Sequence, residues 1–341
     1  MKIQVFQFEL PLKHTFTISH ESRTVQPTMI IQLQDKNGLT GYGEATVTLY
    51  YGVTMEKMLA AVEKIRPWAE QYELDHPEAF YAELEQRLPE DSFVRCALDQ
   101  AANDLWARRH GKPLYEMWGL DPANCPTTSY TIGIAPVPEM ISKLQEKPWP
   151  LYKIKLGTDQ DLEIIRSLRQ HTNATFRVDA NTAWTAEQTI AYSKELKALE
   201  VEFIEQPQKA DAWEDHRAAL AGSVLPIIAD ESCHIEADVA RCAGYFDGIN
   251  IKLTKCGGLT PARRMIAEAR RLGLKVMMGC MTESSVGISA IAHIAPMLDY
   301  VDMDGALLLA KDPAQGVTID DQAVLHYAEL PGTGAALRSQ F

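Results

Sequence analysis

Three short hydrophobic runs that each end in a lone acid constrain the fold of this chain more than any other feature. Asp179, Glu205 and Asp230 follow these runs and lie 26 and 25 residues apart. That spacing is close to one strand, one helix and two loops, the unit of a β/α repeat. The carboxyl ends of parallel strands in a β/α barrel meet at one face, so three such acids would converge on one point.

Three converging carboxylates predict a metal site. Carboxylates that face one another repel strongly unless a cation lies among them, and oxygen ligands favour Mg²⁺ or a similar hard ion. We therefore expect Asp179, Glu205 and Asp230 to surround one divalent cation.

Lysines precede and follow the acids in the same register. Lys153 and Lys155 lie about one repeat unit before Asp179, and Lys252 lies 22 residues after Asp230. Residues two apart in a strand point to the same side, so Lys153 and Lys155 share a face. Lysine is rarely buried without a reason. Two crowded ammonium groups beside a divalent cation predict a lowered lysine pKa, and hence a lysine that can act as a base.

The alternation of strands and helices predicts the fold class. The predicted barrel strands begin near Thr127, Leu151, Phe176, Phe203, Ile227, Gly248, Lys275 and Tyr300. We predict an α/β chain with a modified TIM barrel, (β/α)7β, at 116–310. An α+β capping domain is predicted at 1–115, with the tail at 311–341 returning to it. A doubly wound sheet is the weaker alternative, because no Gly-x-Gly-x-x-Gly fingerprint follows the first strand.

Local signals mark two of the helix ends. Thr185-x-x-Gln188 is a capping box at the start of a helical pattern. Thr260 followed by Pro261 predicts an N-cap at Thr260, and Gly273 predicts the end of that helix.

Composition and charge exclude several classes of partner. The 341 residues carry a formal net charge of −13, so nucleic-acid phosphates and anionic membranes would repel the chain. No apolar run approaches the ~20 residues that span a bilayer, and the N-terminus alternates polar and apolar residues where a secretory signal needs an apolar core. The six cysteines lack Cys-x-x-Cys and zinc-site spacings, and we interpret them as reduced thiols of a cytoplasmic protein.

The motifs, in their order, resemble the muconate-lactonizing-enzyme subgroup of the enolase superfamily. The matching motifs are Lys153-x-Lys155, Asp179-x-Asn181, Glu205-Gln206-Pro207, Asp230-Glu231-Ser232 and Asn250-x-Lys252. A further pair at the eighth strand, Asp302-x-Asp304, resembles the motif with which dipeptide epimerases hold the α-ammonium group of the substrate. The resemblance spans nearly the whole chain and implies an isomerase that acts on a small dipeptide.

The resemblance implies roles for the strand-end residues. It makes Asp179, Glu205 and Asp230 the ligands of one Mg²⁺ per subunit, for which Mn²⁺ could substitute. Lys155 and Lys252 become the acid/base pair on opposite faces of the substrate. The implied reaction is a 1,1-proton transfer at the α-carbon of the C-terminal residue, through a metal-stabilised enediolate. The expected substrates are dipeptides of the L-Ala-D/L-Glu type, derived from cell-wall peptides.

Further matches fall on residues that would contact the substrate or support the site. Lys153 would tune Lys155 and approach the substrate carboxylate. The expected substrate contacts are Lys153, Thr131, Cys280, Met281, Thr282, Asp302 and Asp304. Three further residues are expected to support the site without contacting the substrate: Asn181, Glu231 and Glu283. Of these, Glu231 could equally be a surface residue.

The loop at 20–24 leaves the side-chain preference open. Arg23 could hold a side-chain carboxylate, which favours an acidic dipeptide such as Ala-Glu. Glu21 could equally hold a cationic side chain, or both residues could face water.

Other functions stay open beside dipeptide epimerisation. One is a related activity on the same barrel: muconate cycloisomerase, o-succinylbenzoate synthase or N-acylamino acid racemase, whose substrates carry no free ammonium group. Another is a non-catalytic barrel that binds a metabolite. Homo-oligomers are common among such barrels, and a homo-oligomer is left open by that analogy alone.

Overall fold

The N-terminal part of the chain forms an antiparallel sheet covered by helices. In the computed structural model the described residues are 1–18 and 21–339, without the side chain of Glu21. The sheet runs in the order β1 (Lys2–Ile18), β2 (Glu21–Gln34), β3 (Thr40–Thr46). The helices that follow are α1 (Met55–Gln71), α2 (Pro77–Arg87), α3 (Ser92–Arg109) and the short α4 (Leu114–Met117).

Two glycines bring α3 into close contact with β3. A Cβ added at Gly41 would lie 2.3 Å from the Ala101 carbonyl oxygen, and one at Gly43 would lie 2.0 Å from that of Ala97. The helix backbone can therefore lie against the strand only because both glycines lack a side chain. The core around this contact consists of fully buried aliphatic side chains, among them Ile31, Leu33, Val62 and Leu105.

Eight parallel strands in the described part of the chain form the barrel. Their bounds are β4 (Tyr130–Ile132), β5 (Leu151–Lys155), β6 (Thr175–Asp179), β7 (Val201–Glu205), β8 (Ile227–Ala229), β9 (Gly248–Ile251), β10 (Lys275–Gly279) and β11 (Tyr300–Asp302). They pair in chain order from β4 to β11. A parallel bridge between Thr128, just before β4, and Val301 in β11 joins the first strand to the last. The predicted (β/α)7β barrel is confirmed.

Helices connect successive barrel strands. Their bounds are α5 (Val137–Glu146), α6 (Asp161–Arg169), α7 (Ala186–Ala198), α8 (Trp213–Gly222), α9 (Glu236–Cys242), α10 (Leu253–Cys256), α11 (Leu259–Arg271) and α12 (Ser285–Ile294). Thr185 and Gln188 exchange both hydrogen bonds of the predicted capping box at the start of α7. Within the described ranges, no helix combines the length and the apolar character that a bilayer crossing requires.

The start of α11 differs from the prediction. The helix begins at Leu259, and Gly258, not Thr260, is its N-cap. The Asp99 carboxylate in α3 accepts hydrogen bonds from the Thr260 backbone N–H at 2.8 Å and from its hydroxyl at 2.7 Å. This capping group comes from 161 residues away in the sequence, so no local motif could reveal it. The end is as predicted, because Gly273 follows the helix in the left-handed conformation, with φ +76°.

The C-terminal tail packs on the N-terminal part of the chain. Its strands are β12 (Ala314–Gln315), β13 (Thr318–Ile319), β14 (Leu325–His326) and β15 (Ala336–Leu337). The Thr333 N–H donates to the Asp104 carboxylate of α3 at 2.7 Å, and the Gly332 N–H donates to the Lys112 carbonyl at 2.9 Å. Such contacts are expected of a tail that completes a capping domain, while the boundaries at 115 and 310 stay a prediction.

Candidate active site

The three strand-end acids converge as the repeat spacing predicts. Asp179 and Glu205 are the last residues of β6 and β7, and Asp230 directly follows β8. All three side chains are buried, and one carboxylate oxygen of each lies within 4.8 Å of those of the others. Lys155 pairs with Asp179, and Asp179 pairs with Glu205, in the registers of adjacent strands. Parallel pairing therefore places groups from successive repeat units side by side.

The two candidate acid/base lysines lie at opposite ends of the acid triad, which is Asp179, Glu205 and Asp230. Lys155 Nζ lies 2.6 Å from an Asp179 oxygen, and Lys252 Nζ lies 2.6 Å from an Asp230 oxygen. Lys155 ends β5 and Lys252 follows β9, so the two side chains come from strands that flank the acid-bearing strands. A reaction with two bases needs such a placement, with one amine on each flank.

Lys153 lies among the carboxylates. Its Nζ is 2.6 Å from Glu205, 3.0 Å from Asp302 and 3.3 Å from Asp179. Its side chain is buried, as are all three acids. The ammonium group therefore offsets negative charge that water cannot reach.

The protein groups alone raise the pKa values of Lys153 and Lys252, whereas the sequence predicted a lowered lysine pKa from crowded amines beside a bound cation. Burial lowers the pKa of Lys153, but Asp302 and Glu205 raise it, and the pKa lies well above its ordinary value. For Lys252, burial again lowers the pKa, Asp230 raises it and the net shift is upward. The prediction weighed the crowding of amines and the cation, and it left out the carboxylates that contact each amine.

The acid triad suits a hard divalent cation. Burial, followed by the charge of Asp179, raises the pKa of Glu205 to about 7, so the lysines do not fully offset the buried negative charge. Mg²⁺ binds oxygen at about 2.0–2.1 Å, which puts ligands on opposite sides of the ion about 4.2 Å apart. The carboxylate oxygens, all within 4.8 Å of one another, are close to that spacing. Asp179, Glu205 and Asp230 are therefore the residues that would hold the ion.

One cleft collects the predicted substrate-contacting residues. The cleft is open to solvent on one side and has a volume of about 100 Å³. The predicted residues that line it are Thr131, Lys153, Lys155, Lys252, Cys280, Met281, Thr282, Asp302, Asp304 and Arg23. Sequence reasoning missed three apolar residues of the wall, Phe16, Ile18 and Leu308. Their local sequence carries no signal that separates them from ordinary core residues.

The two acids of the Asp302-x-Asp304 motif have different surroundings. Asp302 lies 3.0 Å from the Lys153 ammonium and accepts a hydrogen bond from the Ser129 hydroxyl. Asp304 accepts the Thr131 backbone N–H at 2.6 Å. Burial, followed by repulsion from Asp302, raises the pKa of Asp304 to about 6. Asp304 is thus the member of the pair whose charge the protein compensates less.

Two of the three outer residues lie directly beside the acids. The Asn181 backbone N–H donates to Asp179 at 3.0 Å, and Asn181 adopts a left-handed conformation with φ +45°. Glu231 follows Asp230 in the chain. Burial, followed by the charge of Asp230, raises the pKa of Glu231 to about 8. A side chain with so perturbed a pKa is unlike an ordinary solvated surface acid.

The third outer residue, Glu283, lies where the barrel meets the N-terminal sheet. Its carboxylate accepts the Met281 backbone N–H at 2.8 Å. Burial, followed by the charge of Glu44, raises the pKa of Glu283 to about 8. Glu44 in β3 accepts the Ser284 N–H at 3.0 Å and its hydroxyl at 2.6 Å, at the start of α12. Glu283 and Glu44 therefore support the segment 280–282 on the cleft wall.

Arg23 reaches the cleft from the start of β2. Its guanidinium carbon lies 5.7 Å from the centre of the Phe16 ring. The competing specificity residue, Glu21, has its side chain outside the described residues, and His20 lies outside them altogether.

Lys255 is a residue of this site that sequence reasoning missed. Its Nζ lies 2.6 Å from Asp230 Oδ1 and donates to the Cys233 carbonyl oxygen at 3.1 Å. Burial raises the pKa of Asp230, but Lys252 and Lys255 overcome this effect and hold the pKa well below its ordinary value. The only local signal was that Lys255 follows Lys252 closely in the sequence, and Lys252 is the extended residue just before α10, so no helical spacing links the two.

Comparison with protein families matches both parts of the chain. Residues 2–119 match the family described as "Mandelate racemase / muconate lactonizing enzyme, N-terminal domain". Residues 139–341 match the family described as "Enolase C-terminal domain-like".

Individual relatives extend the match over the whole length. The L-Ala-D/L-amino acid epimerase of Flavobacterium johnsoniae is 57% identical over 337 residues, which cover 99% of this chain and 100% of the relative. A protein of the same name from a Maribacter species is 56% identical over 337 residues. The match covers 99% of this chain and 99% of that relative.

A solved structure gives the same result for the fold. It is a dipeptide epimerase from Methylococcus capsulatus complexed with Mg and the dipeptide L-Arg-D-Lys, at 34% identity and a TM-score of 0.90. The match covers 98% of this chain and 99% of the other. These similarities confirm the resemblance found in the motifs: the chain belongs to the mandelate racemase/muconate lactonizing enzyme family of the enolase superfamily, in the branch of the dipeptide epimerases.

Proposed function

We propose that this protein is an isomerase that epimerises dipeptides with a free amino terminus, at the α-carbon of the C-terminal residue, with Mg²⁺ as cofactor. One observation carries the proposal most directly. Lys155 and Lys252 lie at opposite ends of a buried acid triad, and both line the cleft that Asp304 also lines. The names of the similar proteins, L-Ala-D/L-amino acid epimerase, support the same reaction class.

The two lysines would move the proton. The α-carbon lies beside a carboxylate, so removal of its proton creates a second negative charge on the substrate. The acid triad would hold a Mg²⁺ ion, whose positive charge would offset that second negative charge. Lys155 takes the proton from one face as a neutral amine, and Lys252 returns one to the other face as an ammonium group, or the reverse. Inversion follows because the proton leaves and arrives on opposite sides.

Lys153 would complement the substrate carboxylate. It lines the cleft, and its ammonium group already lies among Glu205, Asp179 and Asp302. Its pKa, raised by those acids after the opposing effect of burial, keeps it charged. Because three carboxylates already contact its ammonium group, Lys153 is assigned to orientation of the substrate. Lys155, which lies 2.6 Å from Asp179, is assigned to proton transfer.

Asp304 would bind the substrate ammonium group. It lines the cleft, and burial together with Asp302 raises its pKa, so a bound cation would relieve an unfavourable environment. The remaining contacts of the dipeptide are assigned to Thr131, Cys280, Met281 and Thr282, which line the same cleft. Asn181, Glu231 and Glu283 are assigned supporting positions around the acids and the cleft wall.

The preferred side chain at the C-terminal position is a finer question. Arg23 on the cleft wall favours an acidic residue, as in L-Ala-D/L-Glu. The apolar wall formed by Phe16, Ile18 and Leu308 also accommodates uncharged side chains. We therefore propose L-Ala-Xaa dipeptides as the substrate class, with L-Ala-Glu among the expected substrates. A homo-oligomer and a cytoplasmic location stay predictions from the sequence, and light scattering after gel filtration would test the former.

A dipeptide library in D₂O tests the proposal. Each L-Ala-Xaa dipeptide is incubated with the protein and Mg²⁺, and deuterium at the α-carbon of the second residue is followed by mass spectrometry and NMR. We expect incorporation accompanied by inversion, and its loss with EDTA. Absence of exchange across the library would reject the proposal, and exchange that persists unchanged in EDTA would reject the role of the metal.

A further inference from the structure

Gln206 connects the chain segments that carry all three acids. It directly follows Glu205. Its carbonyl oxygen accepts the Thr182 N–H at 2.8 Å, three residues beyond Asp179, and its N–H donates to the Ile228 carbonyl at 2.9 Å, two residues before Asp230. The backbone of Gln206 is therefore bonded both to the segment after β6 and to β8.

The side chain of Gln206 makes a further connection to the third acid. Its Oε1 accepts the backbone N–H of Asp230 at 2.7 Å and that of Ser232 at 3.2 Å. Its Nε2 donates to the Ser232 hydroxyl at 2.8 Å and to the Gln208 carbonyl at 3.0 Å. The donors of the amide group are both used, and its oxygen accepts twice, so the plane and rotation of the amide are fixed.

The backbone of Gln206 adopts a conformation that is unfavourable for any residue other than glycine. Its φ is +34°, in the left-handed region where residues with a Cβ are uncommon. The side chain is fully buried. Such a conformation persists only where surrounding bonds hold it, and at Gln206 those bonds lead to the acid-bearing segments.

We infer that Gln206 is a positioning residue that sets the spacing of the three carboxylates for the metal ion, an inference that rests on the proposed function. Mg²⁺ requires nearly ideal octahedral geometry, so its affinity depends on ligand spacing more than that of a larger ion does. Residues that hold metal ligands through hydrogen bonds affect metal affinity without touching the metal. Gln206 holds the acid-bearing segments through its backbone bonds to Thr182 and Ile228. Its side-chain amide also accepts the backbone N–H of Asp230.

Gln208 provides a matched comparison. It is the same residue type, two positions along the chain, and it is buried in the same hydrogen-bond network. Its Nε2 donates to the Thr189 hydroxyl at 2.6 Å, and its Oε1 contacts His216 Nδ1 at 3.2 Å. These side-chain bonds run to α7 and α8, and they reach the segment of Asp230 indirectly, through His216, whose Nε2 lies 3.3 Å from the Ser232 hydroxyl. If the network only stabilised the fold, replacing either glutamine would change the Mg²⁺ affinity to a similar extent.

The test compares Gln206→Met with Gln208→Met. Mg²⁺ affinity is measured by calorimetry on the full chain without substrate, and the stability of each variant is measured in EDTA. We expect Gln206→Met to raise the Mg²⁺ Kd by about 10-fold or more, whereas Gln208→Met should keep it within about twofold of the wild type at a similar loss of stability. Equal Mg²⁺ affinities of the two variants would overturn the inference.

Ser232→Ala keeps the test available if Gln206→Met does not fold. This variant retains Gln206 and removes the hydroxyl that accepts its Nε2 hydrogen. We expect a Mg²⁺ Kd raised by about threefold or more, and an unchanged Kd would overturn the inference. The proposed function fails separately, since it would be rejected by absent α-proton exchange in the wild-type protein, whatever the Kd values of the variants.

Discussion

The Lys153 ammonium lies 3.0 Å from the Asp302 carboxylate, so one acid of the Asp302-x-Asp304 motif is already paired within the protein. Burial raises the pKa of Asp302, and Lys153 and Arg177 bring it below its ordinary value. Asp304 differs, because burial and Asp302 raise its pKa to about 6. The two acids are therefore expected to contribute differently to binding, although they occupy one motif.

Asp304→Asn should weaken the use of dipeptides with a free amino group. A hydrogen bond to a charged group contributes about 1.5–3 kcal/mol, so we expect kcat/KM to fall by about 10-fold to 100-fold. N-acetylated dipeptides, tested as competitive inhibitors, should bind the wild type and the variant equally. Asp302→Asn should instead reduce turnover and inhibitor binding alike, because it removes the partner of Lys153. Identical profiles for the two variants would contradict the assignment.

Mg²⁺ should stabilise the protein through Glu205. Free Mg²⁺ at 100 times its Kd is expected to add about 2.7 kcal/mol to the free energy of unfolding, which urea titrations with Mg²⁺ or EDTA would measure. Glu205→Gln should abolish this difference. Glu202→Gln is the matched control, because Glu202 lies on the same strand but pairs with Arg177 at 2.8 Å. A loss of the Mg²⁺ effect in both variants would argue against the metal site.

Arg23→Ala should affect acidic and neutral dipeptides unequally. If Arg23 holds a side-chain carboxylate, kcat/KM for L-Ala-L-Glu should fall by about 10-fold or more, and that for L-Ala-L-Ala by no more than about twofold. Arg23→Lys should recover part of the loss, because it restores the charge without the planar fork. Equal losses for the two dipeptides would remove Arg23 from the specificity assignment.

His293 should make the protein less stable in acid. It is buried in α12, its Nδ1 accepts the Tyr115 N–H at 3.1 Å, and burial lowers its pKa to about 3. An unfolded histidine has a pKa of about 6.5, so between these values the unfolded chain takes up a proton that the folded chain does not. Stability should fall with falling pH in this window, by about 1.4 kcal/mol per pH unit from this group. His293→Gln should show a shallower dependence in urea titrations, and an unchanged slope would contradict the account.

The sequence predicts the barrel and its acids because both depend on periodicity. Asp179, Glu205 and Asp230 end strands at nearly constant spacing, and the register of parallel strands carries that spacing directly into space. The same argument places Lys155 and Lys252. These features need only the identity of the repeat and no knowledge of which distant segments touch.

Features that depend on distant partners are not visible in the sequence. The cap of α11 comes from Asp99 in another part of the fold, and the lining residue Phe16 comes from a strand outside the barrel. The direction of the Lys252 pKa shift depends on its 2.6 Å contact with Asp230, which outweighs the crowding of amines. Local patterns thus identify the functional groups, whereas their electrostatic balance follows from tertiary contacts.

Deuterium exchange by single-lysine variants tests the two-base claim most directly. Lys155→Ala and Lys252→Ala are each incubated in D₂O with purified L-Ala-L-Xaa and L-Ala-D-Xaa, and α-proton exchange is followed separately from inversion. We expect both variants to lose epimerisation, while each still exchanges the α-proton of one diastereomer, a different one for each variant. Exchange of the same diastereomer by both variants, or undiminished epimerisation by either, would contradict the placement of the two lysines on opposite faces of the substrate.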